Sequence, residues 1–488
     1  MLPSHTSFDE LLNIRKAFEA NTSNNGASPF IDGSSGSTLS RQSLDTTFVA
    51  LVSSDADFKF MKYVPRRDVR QVLVEYNRNL SHGGGWYRSS FIGQSDEPSF
   101  QDAVLERNFN EMNYMAEAFS FNKVAETVES VQDPEVVQSN AALRRLTESL
   151  SRNIWFGNRT LNPLSQMGFE QTISALGSEF VYDCRNQLPT TDVFKEYSAT
   201  IRSRYFGVAN EIWMHPSTRT LFDQTYENLG KTIVYQNQSQ NPANVMLGNM
   251  IPGIIDSNAK DQTLLFKDDI WMDRHSWGVP MAWDPISKSF IEGPVGDAPP
   301  DTPSFTLTVN VGTPGSKFSA SDVGDYIYRV ASGGADYKSW SAATVIAPTS
   351  TATIGAAGNS VDIAITPAGT GNPAAKFAIF RSIAPGSTTI RYLGEVAKAL
   401  GPTTTYTDLN ENIPGTTIMI LGDFNSRSNT DDTRTHLLSE LLAPFKTLFP
   451  YGAGSKLRMR LGMVEYYAVL QIMAPEKFLV LKNVPVAR

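Results

Sequence analysis

Residues 69–109 read as an extended hairpin with too little apolar surface to support itself, and no other segment constrains the fold as much. The outgoing strand alternates, with Val72, Val74 and Tyr76 on one side and Leu73, Glu75 and Asn77 on the other. It runs into a tip at Ser81, His82, Gly83, Gly84, Gly85 and Trp86. The return arm, residues 88–100, is polar and broken by Gly93 and Pro98. A two-stranded hairpin is marginal in water by itself, so an arm of about forty residues must lie on something else. A neighbouring copy of the same chain is the expected support. Assembly, rather than chemistry, is the leading expectation.

The rest of the chain can supply large cores. Of 488 residues, 41% are hydrophobic and 10% aromatic, enough for more than one domain and incompatible with disordered or collagen-like classes. A net charge of −8 argues against a surface that grips nucleic acid all over, while leaving room for a local basic patch. The single cysteine, Cys184, permits no internal disulfide and no thiolate zinc cluster. No basic-then-apolar leader opens the chain and no run of about 18 apolar residues occurs, so no membrane role is expected.

Along the chain, a short amphipathic stretch with Leu11, Leu12, Ile14 and Phe18 precedes a Ser/Gly/Asn-rich segment, residues 21–40, with the character of an extended arm. Residues 113–128 read as a long strand, with Met115, Phe119 and Phe121 on one face. Asp133 then caps a helix of about seven turns with Pro134 at its first position, a buried stripe of Leu143, Leu146, Leu150 and Ile154, and Gly157 at its end. Arg144, Arg145 and Arg152 are expected on its solvated faces. Residues 193–206 read as a helix, and Ile212, Trp213 and Met214 as a buried strand. Ser217 reads as the cap of a helix over 218–229, and Trp271, Trp277 and Trp283 as packing residues.

Composition shifts near Pro299 and Pro300 to a Thr/Ser/Ala/Gly-rich stretch of short alternating strands, such as residues 305–309, 326–330 and 377–381. This pattern indicates a β-sandwich. It resembles fibronectin type III and immunoglobulin-like modules with rotated strand order: residues 326–342 are similar to the last two strands and 376–408 to the middle ones. An α/β pattern resumes at Thr417 with the buried strand 418–421, a helix expected over 435–443 and stopped by Pro444, and strands over 464–472 and 478–481. One α/β domain is thus interrupted by an insertion, which domains tolerate when their ends lie close together.

Catalytic motifs are missing. There is no Gly-x-Ser-x-Gly elbow, His-Glu-x-x-His or dinucleotide glycine fingerprint, and residues 452–456 lack the spacing of a phosphate loop. Asp268, Asp269, Asp273 and His275 hold hard-metal donors without calcium-loop spacing. Asp431, Asp432 and His436 form a similar group, and His5, His82, His215, His275 and His436 are scattered. A non-enzyme without metal or cofactor is expected.

The order of parts resembles the major capsid proteins of tailed bacteriophages, the fold named for phage Hong Kong 97. The arm, the loop carrying Val74, Glu75, Tyr76, Asn77 and Arg78, the strand 113–128, the spine-like helix 133–156 and the closing strand 475–484 carry that resemblance. It implies an α+β fold of the Hong Kong 97 type with an inserted all-β immunoglobulin-like sandwich. The parts would be an N-terminal arm (1–55), an extended loop (56–110) and a peripheral domain with the spine helix (111–164 plus 473–488). An axial domain (165–299 and 417–472) would be interrupted by the inserted sandwich (300–416). It further implies hexamers and pentamers of one chain in a virion head, made in the bacterial host cytoplasm and enclosing double-stranded DNA without sequence-specific binding. A separate scaffolding protein, a portal and a decoration or cement protein would be its partners.

Some members cross-link through a lysine on the extended loop, but no lysine lies between Lys62 and Lys123 here. Non-covalent contacts are expected instead, with Arg78, His82, Trp86, Tyr87 and Arg88 as candidates, since aromatic and arginine side chains anchor interfaces. The alternative readings are an encapsulin-type nanocompartment shell and a monomeric adhesin or glycan-binding protein built around the sandwich.

Overall fold

A computed structural model describes residues 54–83, 91–95, 97, 100–123, 126, 133–228, 235–236, 245–246, 252–274, 283–284, 289–290, 293–424, 434–450 and 458–486. The expected arm up to residue 53, the tip residues Trp86, Tyr87 and Arg88, and also Trp277, His275, Asp431, Asp432 and residues 451–457 lie outside that set. The chain divides into two units, Met1–Val52 with Val124–Pro134, and Ser53–Lys123 with Glu135–Arg488; the described residues belong almost wholly to the second.

Ile418, Met419, Ile420 and Leu421 follow one another without a polar break because their strand, Thr417–Gly422, is covered on both faces. It lies inside a mixed six-stranded sheet, ordered Val181–Asp183, Phe478–Val484, Thr417–Gly422, Glu211–Met214, Thr263–Asp268, Gly253–Ile255. On one face Met419, Leu421, Ile212, Met214, Leu479 and Leu481 pack with Phe194 and Ile201 of helix Thr191–Tyr205 and Phe222 of helix Pro216–Asn228. On the other, Ile418, Ile420, Trp213, Phe478 and Val480 join the main core. Residues 473–488, expected beside the spine helix, instead place Phe478–Val484 in this sheet, between Val181–Asp183 and Thr417–Gly422. The helix after the 211–214 strand starts at Pro216, and His215 rather than Ser217 caps it, its Nδ1 accepting the Ser217 amide at 3.3 Å.

The second sheet has four strands, ordered Arg66–Asp68, His436–Leu448, Met459–Ile472, Asn113–Asn122. Helix Pro134–Phe156 lies on it: Ala142, Leu146, Leu150 and Ile154, four residues apart, pack with Phe119, Phe121, Val464, Tyr466, Ala468 and Leu470. Leu143 is only partly buried at the edge of that stripe. Gly157 ends the helix at a close backbone approach: a Cβ there would stand 2.4 Å from the Asn153 carbonyl and 2.5 Å from that of Gln166. Phe60, from helix Lys59–Tyr63, sits where the two sheets meet, with ring centroids 4.3 Å from Trp155, 4.9 Å from Trp213 and 6.0 Å from His436. Trp271 joins the same core, stacked on Phe58.

The helix expected over 435–443 is instead the first part of strand His436–Leu448. It pairs in parallel with Arg66–Asp68 and antiparallel with Met459–Ile472, so over Leu438–Glu440 both rows of backbone groups are satisfied. Its buried polar side chains also find partners across the ladder: Ser439 Oγ donates to Gln471 Oε1 at 2.7 Å, and the Tyr466 hydroxyl to Glu440. Pro444, with no N–H to give, falls in the register shift between Leu442 and Phe445. The strand expected over 113–128 is Asn113–Asn122, with Met115, Phe119 and Phe121 turned inward as expected.

Residues 304–408 form seven antiparallel strands in two sheets, three in the order Ser304–Asn310, Ser360–Thr366, Thr404–Asp408, and four in the order Thr351–Ile354, Gly324–Gly334, Ala374–Ser382, Ile390–Ala397. Tyr328, Val330, Ile354, Ile363, Ile365, Phe377 and Ile379 fill the space between them. The strand expected to follow 326–330 by residue 342 lies later, at Thr351–Ile354.

Candidate inter-subunit surfaces

The extended loop is a two-stranded ribbon, Leu73–Ser81 paired with Val104–Glu111. The return strand therefore lies beyond the expected 88–100, where Gly93 and Pro98 disfavour a ladder. Alternation sets what each face meets. Val74 turns inward onto Met112 and Val469, and its carbonyl accepts the Gln471 amide at 3.3 Å. Tyr76 follows two positions later, its hydroxyl donating to the Ile472 carbonyl at 3.4 Å, and burial raises its pKa. Arg78 completes the inward row, pairing with Glu476 and, at 3.8 Å, with Glu106.

The outward face carries Leu73, Leu105 and Phe109, exposed by 50%, 70% and 69%. Between them Arg107 pairs with Glu75 across the strands. At the far end Phe91 and Phe100 are 95% and 97% exposed. Isolated exposed apolar residues are ordinary, but a row of them along one face of a ribbon is not.

Of the five expected contact residues, Arg78 is spent within the chain, His82 is exposed at the end of the ladder, and Trp86, Tyr87 and Arg88 lie outside the described residues. Leu105 and Phe109 were missed, although Leu105, Arg107 and Phe109 alternate with Glu106, Asn108 and Asn110 in a strand-like period of two.

Of the residues considered for metal or acid–base chemistry, Asp268, Asp269 and His436 have structural roles. Asp268 pairs with Lys59 and Arg219. Asp269 accepts the Trp271 amide at 2.9 Å and Trp155 Nε1 at 3.4 Å, while burial pushes its carboxyl up to about 6. His436 lies among aromatic rings, and burial pushes it down to about 3. Cys184 is buried, its thiol pushed up to about 12. No group of three His, Cys, Asp or Glu is placed to hold a metal among the described residues.

Arg145 meets Glu117 at 3.4 Å as expected of a surface arginine, but Arg152 is half-buried and its pKa is lowered by burial. It lines a cleft of about 1090 Å³ between the spine helix and the sandwich, shared with Arg274, Lys376, Tyr392, Glu170 and Glu395. Both charge signs alternate along its walls, so it selects for neither. Among the described residues no helix is long and apolar enough to cross a membrane.

No protein-family model matches the chain and no curated protein matches it. Solved structures are similar in outline. A holo-SrpI encapsulin complex from Synechococcus elongatus PCC 7942 has a TM-score of 0.43 at 7% identity, covering 94% of this chain and 97% of that one. The capsid of a native GTA particle has a TM-score of 0.44 at 8% identity, covering 92% and 97%. The capsid of cyanophage P-SCSP1u has a TM-score of 0.41 at 5% identity, covering 99% and 100%. At these scores the chain's role is argued from its own residues.

Proposed function

We propose that this chain is the repeating subunit of a closed protein shell, the major capsid protein of a tailed bacteriophage. The uncovered outward row of Leu73, Leu105 and Phe109 carries the reading. Covering each large apolar side chain contributes about 1.5–3 kcal/mol, so one ribbon laid on a neighbour contributes several. Repeated around a closed shell, contacts of that size suffice without a covalent link, in keeping with the absence of lysine over 63–122. The inward row holds the ribbon to its own body, so it reaches a neighbour pre-oriented and loses less entropy on docking.

The net charge of −8 suits a wall that must not stick to packaged DNA. Hexamers and pentamers, a scaffold, a portal and a location in the virion belong to the same proposal. The module at 304–408 reads as immunoglobulin-like: its sheets match an A-B-E and G-F-C-C′ arrangement with the strands taken in the chain order A, F, G, B, C, C′, E. It decorates the shell.

The test is light scattering and negative-stain microscopy of the full chain beside L105D/F109D, with nuclease-protected nucleic acid assayed in any particle. Closed shells from the natural chain and only small oligomers from the variant are expected. Monomers from both, across protein and salt concentrations, would sink the proposal. Shells that protect an enzyme and no nucleic acid would make it a nanocompartment.

A further inference from the structure

We infer that the 304–408 module is locked in one orientation on its host by a polar latch around Asn483, and is a rigid extension of the body rather than a tethered domain. Among the described residues the apolar clusters lie either in the host or in the module, the latter extended only by Val295 of the entering segment beside Trp340. Directional hydrogen bonds join them instead. Asn483 Nδ2 donates to Asp183 Oδ1 and to the Glu411 carbonyl, both at 2.6 Å, and its Oδ1 accepts the Ile413 amide at 2.9 Å. Arg185 reaches up from the host, its Nη1 donating to the Asn410 carbonyl at 2.7 Å and its Nη2 to the Lys317 carbonyl at 2.6 Å. Lys317 returns to Asp183 at 2.8 Å. On the module side Asn410 Oδ1 accepts Arg381 Nη2 at 2.7 Å, and Arg381, buried, also pairs with Asp408 at 2.6 Å. The network thus runs from the core of the module to the C-terminal strand of the host.

Backbone conformation points to the same place independently. Eight described non-glycine residues have positive φ, and four of them are Arg185 (50°), Asn186 (60°), Asn410 (56°) and Asn483 (55°). Such conformations are held only where the surroundings over-determine them, and they gather where geometry matters to function. Arg185 and Asn410 bring a guanidinium and a carbonyl together across the junction, Asn483 turns its amide to the segment returning from the module, and Asn186 donates its N–H to the Asn483 carbonyl at 2.8 Å. Fixed bond directions at several points set an angle, which two connecting segments alone would leave free. The inference concerns contacts within one chain and holds whether or not the chain closes into shells.

Pulsed dipolar distance measurement tests it. Spin labels go on E196C, exposed on the host helix, and L400C, fully exposed on the module, with labelled chain diluted in unlabelled chain so that only intrachain distances are read. Buried Cys184 takes up no label in the folded chain, which the unsubstituted protein controls. The natural latch is expected to give one narrow distance peak. N483G removes the side-chain amide's contacts, including the Thr416 hydroxyl that donates to its Oδ1 at 3.4 Å, while keeping a residue at ease with positive φ, and R185A/K317A removes surface-facing partners without touching either core. Each is expected to at least double the peak width with the thermal melt of the host core retained. A broad distribution in the natural chain, or an unchanged width in both variants, would overturn the inference.

Discussion

Arg78 and Glu476 form an ion pair across 398 positions of sequence, joining the middle of the ribbon to the short turn before the C-terminal strand. Both side chains are largely shielded from water, at 18% and 26% exposure. With Val74 and Tyr76, Arg78 makes the ribbon's inward face an intramolecular surface, leaving the outward face for a partner.

Replacing Glu476 by Gln should free the distal ribbon without unfolding the body. A partly buried, charge-assisted contact of this kind contributes on the order of 1 kcal/mol. Hydrogen–deuterium exchange should rise over Leu73–Ser81 and Val104–Glu111, while exchange in Thr417–Gly422 stays as in the natural chain.

Phe109 should behave in the opposite way. At 69% exposure it contributes little to the fold of the single chain, so F109S should leave the melting temperature within about 2 °C of the natural value. Under the shell reading, the protein concentration at which light scattering first reports large particles should rise about tenfold or more.

Phe60 is the reverse case, an unexposed ring in contact with both sheets. Phe60→Ala should lower stability by about 3–5 kcal/mol in denaturant titration, since Trp155, Phe169 and Trp213 cannot all close on the cavity. A loss below about 1 kcal/mol would mean the junction is looser than its geometry.

Stability should carry two opposed pH dependences. His436, pushed down to about 3, stays neutral in the folded chain while the unfolded chain takes up a proton below about 6.5, so its contribution is present above pH 6.5 and lost as pH falls. At pH 5 this amounts to about 2 kcal/mol. Asp269, pushed up to about 6, acts the other way: its contribution is complete below about pH 4 and is lost as pH rises through 6. H436F should keep the aromatic packing and remove the first effect, and Thr435 keeps its bond to the Asp423 carbonyl at 2.6 Å. On going from pH 7.5 to pH 5 the denaturation midpoint of H436F should therefore rise relative to that of the natural chain, because the Asp269 effect is left unopposed, and an equal acid response in both chains would rule out His436 as a source.

Strong local patterns were legible from sequence. Pro134, followed by leucines at 146 and 150 and Ile154, marks one helix face, and Ile418 to Leu421 marks a strand covered twice. The alternation of Val72, Val74 and Tyr76 with Leu73, Glu75 and Asn77 separated the two faces of the ribbon, but not which of them meets the body. Residues 436–443 were read wrongly because a run such as Leu437, Leu438, Leu441 and Leu442 suits a helix face as well as a strand, and nothing local separates the two. The position of the return strand was not legible because the glycine-rich tip and Pro98 carry no register, and the ladder is set by pairing of Val104–Glu111 with Leu73–Ser81.

By itself the sequence determined which segments must be buried, that a β-rich module interrupts an α/β body, and that no lysine on the ribbon can tie subunits together, since these follow from side-chain period and composition. Only the tertiary structure decided that 436–448 is a strand, that Phe478–Val484 joins the six-stranded sheet, that Arg78 is spent inside the chain, and that Asn483 meets Glu411. Those outcomes depend on partners tens to hundreds of positions away, whose pairing is chosen by the sum of ladder bonds and burial rather than by any local preference.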